Sequence, residues 1–435
     1  MTTTKKTSYK RKLSAIERYN IVINESTISY NVEAILEGRG TLDPEKWQHA
    51  VNIAAQANPG MRVRLKNVLG FSKWVDSGIN PEVKVIETPN WDGYSEKGIE
   101  SLKQKINVFE NEPVCDVLLI PGDPARVMVR ALHAVSDARG LVHFILDIMR
   151  VLRNEEPIGS MSTLTDLDVR LMHQDKVKVV KQEPVESIPA MPPAKDIPEH
   201  LHYVWRRVRI DKKLANMLPK MAIFLAKQAR SHIDGEVVFT VPVDFRSLRV
   251  EANSTANLTG YLKIKVDPQD STRDVMKRIN QEVRDHGDCY NPGVAKLVPW
   301  MPINFLKGQL EKDFKNVLYS PSKGLPTGGI VSLGLFKPEE WSCPEFQVES
   351  IIGIPGSVGK LNVLIHNYKD NTQILFSAPE AYNSEGQLDA LIEAFRDEFD
   401  VAENADTRKQ KQNADNVEAS PVEAKAEAET EEASA

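Results

Sequence analysis

The sequence predicts an α/β protein of two similarly built lobes, and three observations carry that prediction. Segments of helical and strand-like periodicity alternate through the first part of the chain, the pattern of helices layered on sheets. A proline-rich stretch then interrupts them: Pro184, Pro189, Pro192, Pro193 and Pro198 fall within residues 181–200. Proline fixes φ and removes an amide donor, so this stretch reads as an extended connector. After it the same alternation resumes and runs to about residue 400. The expected organisation is a flexible basic N-terminus at 1–12, an N-terminal lobe at 13–180, the connector at 181–200, a C-terminal lobe at 201–402 and a disordered acidic tail at 403–435. The tail is poor in large apolar residues and carries nine acids against four bases. It cannot bury enough surface to offset its ordering entropy.

The elements follow in order. YNVEAILEGR, from Tyr30, is strand-like and ends at a glycine. LDPEKWQHAVNIAAQANPG reads as a helix, started by Leu42-Asp43-Pro44 and stopped by Asn58-Pro59-Gly60. Its apolar stripe is Trp47, Ala50, Val51, Ala54 and Ala55. MRVRLK and VKVIE are short strands, and VCDVLLI, PGDP and ARVMVRALHAV form a strand–turn–strand. GLVHFILDIMRVLRN is apolar over most of its circumference and reads as a buried helix. In the second lobe LANMLPKMAIFLAKQARSH is helical despite Pro219, and EVVFTVPVDF and LTGYLKIKV are strands. TRDVMKRINQEVRDHG is an amphipathic helix with a solvated charged face. GGIVSLGLF, FQVESIIGI and LNVLIHNY are strands, and QLDALIEAFRDEFDV is a final helix.

Composition excludes several classes. The 435 residues are 41% hydrophobic and 27% charged, a globular balance with net charge −6. Most of that charge sits in the tail, so the body is nearly neutral and lacks the basic face of a nucleic-acid binder. No apolar run is long enough to span a membrane. The basic N-terminus has no apolar region of a secretory signal. Cys115, Cys289 and Cys343 are an odd, sparse set without CxxC spacing, which supports neither a disulfide framework nor a zinc ribbon. The expected compartment is the reducing cytoplasm, with structural thiols.

Motifs for metal and phosphate chemistry are absent: no HExxH, GxSxG or GxGxxG opens a helix. GIPGSVGKL, with glycines at 353, 356 and 359, misses the P-loop pattern and reads as a turn between strands. What stands out is ALHAVSDARG, with His133, Asp137 and Gly140 spaced His-x₃-Asp-x₂-Gly. It lies where an apolar strand gives way to a buried helix, the corner at which α/β layers place reactive groups. His143 and His366 read as core or surface histidines.

This motif resembles the HHxxxDG signature of the chloramphenicol-acetyltransferase-like superfamily, which includes free-standing acyltransferases and condensation domains of nonribosomal peptide synthetases. LDPEKWQHAVNIAAQANPGMRVRL, PVDFRSLRVEANSTANLTGY with its Asn-x-x-Gly, and SLGLF resemble other family segments in the same order. The likeness covers roughly residues 13–400. Leu132 stands where the family's first histidine is usual, Ala138 replaces a glycine, and the DFGWG of plant alcohol acyltransferases is missing.

The resemblance implies two lobes in a V-shaped pseudo-dimer around a central tunnel, with His133 at its middle as general base. A neutral imidazole accepts the proton of a hydroxyl or amine as it attacks a thioester carbonyl. Asp137 is implied to pair with an arginine and hold the loop; Arg246 is the first candidate, with Arg18, Arg62 and Arg64 open. Gly140 is expected to permit close backbone approach, or to serve a plain turn. Ser332 is the candidate oxyanion donor by resemblance. The implied activity is transfer of an acyl group from coenzyme A or a carrier-protein phosphopantetheine to a small-molecule hydroxyl or amine. No metal, tightly bound cofactor or covalent intermediate is expected, and secondary metabolism is the implied setting. Lys5, Lys6, Lys10, Arg11 and Lys12 offer an acidic carrier protein a contact, or are simply a soluble frayed end. Two alternatives stand beside this: a stand-alone condensation enzyme forming an amide from a carrier-bound acyl group, and a non-catalytic binding module.

Overall fold

The computed structural model describes residues 9–26, 29–67, 72–87, 91–99, 104–109, 112–178, 186–192, 203–248, 253–291, 298–309, 325–354, 359–383 and 385–401. The tail at 403–435 lies outside them. The first lobe runs β1 (Lys10–Lys12), α1 (Ala15–Ser26), β2 (Asn31–Gly40), α2 (Pro44–Ala57), β3 (Val63–Lys66), β4 (Lys73–Asp76), β5 (Glu82–Val85), β6 (Cys115–Ile120), β7 (Ala125–Leu132), α3 (Ala138–Leu152) and α4 (Asp166–Met172). The second runs β8 (Tyr203–Ile210), α5 (Met217–His232), β9 (Val238–Asp244), β10 (Thr259–Lys265), α6 (Thr272–Arg284), β11 (Gly328–Leu335), β12 (Phe346–Ile354), β13 (Asn362–Asn367), β14 (Thr372–Pro379) and a C-terminal helix, Gln387–Glu398. Among the described residues no helix is long and apolar enough to cross a membrane.

Local chemistry sets the helix ends. Asp43 caps α2 by accepting from the Glu45 and Lys46 amides at 3.0 and 3.2 Å, and Pro44 follows where an amide donor is not needed. The buried face of α2 is the predicted stripe Trp47, Ala50, Val51, Ala54 and Ala55. Pro219 is tolerated because it falls in the first turn of α5, where no intrahelical partner is lost.

The first lobe's main sheet has the order β12-β2-β7-β6-β5, and the second lobe's has β10-β9-β11-β13-β14-β8. Alternation along β2 sorts its side chains. Val32, Ala34 and Leu36 join the core under α2 and α3. Ile35 faces the other way, into a seam with Met128 and Leu118 of its own sheet and Trp205, Leu364 and Leu375 of the second. On that same face Glu37 bridges Arg126 (2.9 Å) and Arg207 (3.3 Å), and Arg207 also meets Gln373 and Ser350. Glu33 lies opposite Arg130, but Arg130 is held by Asp116 at 2.9 Å. Burial therefore pushes the Glu33 carboxyl up to about 7 despite the nearby guanidinium.

Three segments differ from the sequence reading. β12, expected within the second lobe, pairs antiparallel with β2 and becomes the edge of the first lobe's sheet. Phe346, Val348 and Ile351 fill the first core while Ile352 and Ile354 enter the seam. A register shift between Val348 and Ser350 makes this dual role possible. Gly38 is needed opposite: a Cβ there would sit 2.0 Å from the Gln347 carbonyl oxygen. Lys10–Lys12, read as part of a flexible terminus, form β1 against β4, because Arg11 is buried and neutralised by Glu17. The connector is not a bare spacer either: Ile188, Ala190 and Met191 are buried in the second lobe's core, and Ser187 Oγ donates to the Leu325 carbonyl at 2.7 Å.

Candidate active site

β7 ends at Leu132 and the chain turns through His133 to Ser136 before α3 begins. The turn is pinned from both lobes. The His133 amide donates to the Tyr30 carbonyl at 3.1 Å, and the Tyr30 and imidazole rings stack with centroids 5.0 Å apart. The His133 carbonyl accepts from Asn257 Nδ2 at 2.9 Å and from Asn20 Nδ2 at 3.2 Å. Asn257 Nδ2 also lies 3.3 Å from His133 Nδ1. Burial lowers the imidazole pKa below its ordinary value, against the opposing pull of its own carbonyl, the Asp137 charge and the Ser136 backbone. The ring is thus neutral at pH 7 and keeps one nitrogen lone pair.

Asp137 does different work. It is the N-cap of α3, its Oδ1 accepting from the Gly140 amide at 2.7 Å. Arg246, from the turn after β9, grips both carboxylate oxygens at 3.0 Å, and Oδ2 also accepts from the Leu258 amide and Thr259 hydroxyl. Burial alone would raise this carboxyl. The Arg246 guanidinium and the backbone donors outweigh it and hold Asp137 below the usual carboxylate range. Arg246 is itself fixed by Asp244 and by the Ser254 and Ala256 carbonyls. Gly140 lets α3 approach this loop: a Cβ there would meet the Thr255 carbonyl oxygen at 2.4 Å and Ser136 Oγ at 2.6 Å.

His133, Asp137, Gly140 and Arg246 are therefore gathered in one place. The other arginines are engaged elsewhere: Arg18 donates to the Met301 carbonyl, Arg62 pairs with Asp76, and Arg64 is exposed in β3. Ser332 is exposed on β11, paired with Ile365, and no contact among the described residues joins it to His133. His366 is a buried strand residue, its pKa lowered by burial to about 4, and His143 lies 3.6 Å from buried Asp147. The glycine stretch from 353 falls partly outside the described residues; Lys360 after it is buried and donates to the Ser187 carbonyl at 3.2 Å.

Three supports of His133 had no role assigned from sequence. Asn257 is the asparagine of the Asn-x-x-Gly segment, a signal that was visible but mute as to its partner. Tyr30 and Asn20 carried no signal, because their contacts depend on how β2 and α1 meet the turn.

No protein-family profile matches the chain, and no curated protein matches it by sequence. Solved structures do. A variant of the starter condensation domain of rhizomide synthetase RzmA, in complex with C8-CoA, is 14% identical with a TM-score of 0.59, covering 89% of this chain and 93% of its own. The condensation domain of the Monacolin K polyketide synthase MokA is 9% identical with a TM-score of 0.57, covering 89% and 95%. The trichothecene 15-O-acetyltransferase TRI3 of Fusarium sporotrichioides is 14% identical with a TM-score of 0.54, covering 88% and 93%. At such identities the likeness is one of architecture, and its coverage takes in both lobes. The chain has the condensation-domain fold, two chloramphenicol-acetyltransferase-like lobes in one polypeptide.

Proposed function

We propose that this protein is an acyltransferase that moves an acyl group from a thioester to a hydroxyl or amine, with His133 as general base. The observation that supports this most is the division of labour between His133 and Asp137. Arg246 and the α3 amide occupy the carboxylate, so the imidazole is left neutral, pinned by its backbone and partly open to solvent. A base held in this way takes the proton from the nucleophile as it adds to the thioester carbonyl. Collapse of the tetrahedral intermediate breaks the C–S bond. The proton on the imidazole then leaves with the thiolate, whose low basicity makes strong acid assistance unnecessary. Nothing in this sequence requires a metal or a covalent enzyme intermediate.

Acyl-coenzyme A is the donor favoured by the C8-CoA complex of the RzmA domain. The acceptor is a small hydroxyl or amine compound. A second reading is favoured by the condensation domains among the similar structures: amide formation from an acyl group on a carrier protein. Ser332, exposed on β11, remains the proposed oxyanion donor. The test is thiol release from a panel of acyl-CoAs and acyl carrier proteins, each with pooled alcohols and amines, for the wild type and His133→Ala. Loss of release by about 100-fold or more in the variant supports the base, and the responding donor separates the two readings. Equal rates in both proteins remove His133 from the chemistry.

A further inference from the structure

Beyond α6 the chain turns sharply through His286, Gly287, Asp288 and Cys289. One ligand atom from each of His286, Asp288 and Cys289 lies within 4.8 Å of the others. These are three different donors: an imidazole nitrogen, a carboxylate oxygen and a sulfur. Asp288 is 3% exposed, and its Oδ1 has no hydrogen-bond partner among the described residues. A buried carboxylate oxygen left without a donor costs free energy, unless a cation is its partner. Cys289 is fully buried, whereas His286 is half-buried and stacked on His173, with centroids 5.5 Å apart. The turn therefore opens to solvent on its imidazole side, which gives an ion a way in.

We propose that His286, Asp288 and Cys289 bind a zinc-class divalent metal ion, with solvent as the remaining ligand. The donor set is of the mixed N/S/O kind that suits this class and not magnesium or calcium, which take oxygen alone. Zinc bonds of about 2.0–2.3 Å place tetrahedral ligands roughly 3.5 Å apart, so the three groups need to close by at most about 1.3 Å. Binding displaces the thiol proton to solvent and leaves a neutral assembly of one dication, one thiolate and one carboxylate. Two cations lie nearby: Arg170 pairs with Asp166 and spends its Nη1 on the Asp288 and Tyr290 carbonyls, and the Lys176 ammonium lies 3.4 Å from His173 Nδ1. Spacing alone hides such a site, since its single cysteine forms no CxxC.

Its place in the fold gives it a purpose. Cys289 packs with Phe245, Ala256 and Leu258, and those last two flank Asn257, the residue that holds the His133 carbonyl. Gly260 of β10 also closes on the turn, since a Cβ there would lie 3.0 Å from the Asp288 carbonyl oxygen. An ion at the turn would stiffen the wall behind Asn257 without touching substrate.

Cobalt(II) is the probe, added to the full-length protein under reducing conditions after chelator treatment. The expected result is one equivalent bound, with a thiolate-to-cobalt charge-transfer band and intense tetrahedral d–d bands. Cys289→Ser is expected to abolish the charge-transfer band, and Asp288→Asn to weaken affinity at least tenfold. His286→Asn, which tolerates the positive φ of 52° at that position, is expected to do the same. If Cys289→Ser fails to fold, the other two variants read the site. Absence of a thiolate band, or a band unchanged in the Cys289 variant or in both others, overturns the proposal. Thiol release measured separately keeps this outcome distinct from that of the acyl-transfer reading.

Discussion

Arg246 and Asp137 come from different lobes and meet through two hydrogen bonds of 3.0 Å each, Nη2 to Oδ1 and Nη1 to Oδ2. The pair is buried on both sides, so neither charge has water to fall back on. Arg246→Ala is expected to cost about 3–5 kcal/mol, because it leaves the buried Asp137 carboxylate without its countercharge. Asp137→Ala is expected to cost less, since Arg246 keeps Asp244 and the Ser254 and Ala256 carbonyls. Urea unfolding of both single variants and the double variant checks this. The double variant should lose clearly less than the sum.

The acid limb of catalysis follows from His133. Burial is the largest influence on the ring and favours the neutral, proton-accepting form. Activity is therefore full at pH 7 and declines only as pH falls through a value below the ordinary 6.5. A profile of kcat/KM against pH tests this, and a midpoint above 6.5 would contradict it.

Asn257→Ala removes the 2.9 Å hydrogen bond that fixes the His133 carbonyl from across the seam. Asn20 still holds that carbonyl, so the fold should lose only about 1 kcal/mol. Loss of alignment should lower kcat roughly tenfold with KM little changed. Steady-state kinetics with the donor found by thiol release would show it.

Glu33 gives an opposite pH signature. Its folded pKa of about 7 stands above the ordinary 4.5, so it is bound as a neutral acid below that range. The stability this gives is fully present below pH 4.5 and is lost as pH rises through 7. Glu33→Gln should therefore match the wild type near pH 5 and exceed it by about 2–3 kcal/mol near pH 9. Equal unfolding free energies at the higher pH would sink the idea.

Gly140→Ala presses a methyl group against the Thr255 carbonyl oxygen, which is backbone and cannot swing away. The expected cost is about 1–3 kcal/mol, with a parallel fall in activity as α3 and the 254–259 loop separate. Thermal unfolding and thiol release on one preparation check both effects.

Much of this was legible in the sequence because it is local. The stripe of α2, the β6–β7 hairpin and the His133 to Gly140 spacing each depend on residues near one another along the chain. What escaped depends on distant partners or on polar burial. α1 was missed although Ser14 and Glu17 carry a capping-box spacing, with Glu17 Oε2 accepting the Ser14 amide at 2.9 Å. Its buried face includes Glu17, Arg18, Asn20 and Asn24, so no apolar stripe announces it. β8 reads as a basic segment through Arg206, Arg207 and Arg209, yet distant partners make two of those charges structural: Glu96 and Asp389 hold Arg206, and Glu37 and Gln373 hold Arg207. The site divides likewise. His133 and Asp137 share a motif and Arg246 is reached through the family resemblance, whereas the hold of Asn257 on His133 comes from the other lobe and shows only in the fold.

The exchange of β12 has a practical consequence for anyone dissecting this protein. Cutting the gene at the proline-rich segment would strip the first lobe of its edge strand and leave Gly38 and Gly40 facing water along an unpaired backbone. Such a fragment carries His133 and Asp137 yet is expected to aggregate. Soluble halves would require a synthetic peptide spanning Phe346–Ile354, or a permuted chain that returns those residues to their own sheet.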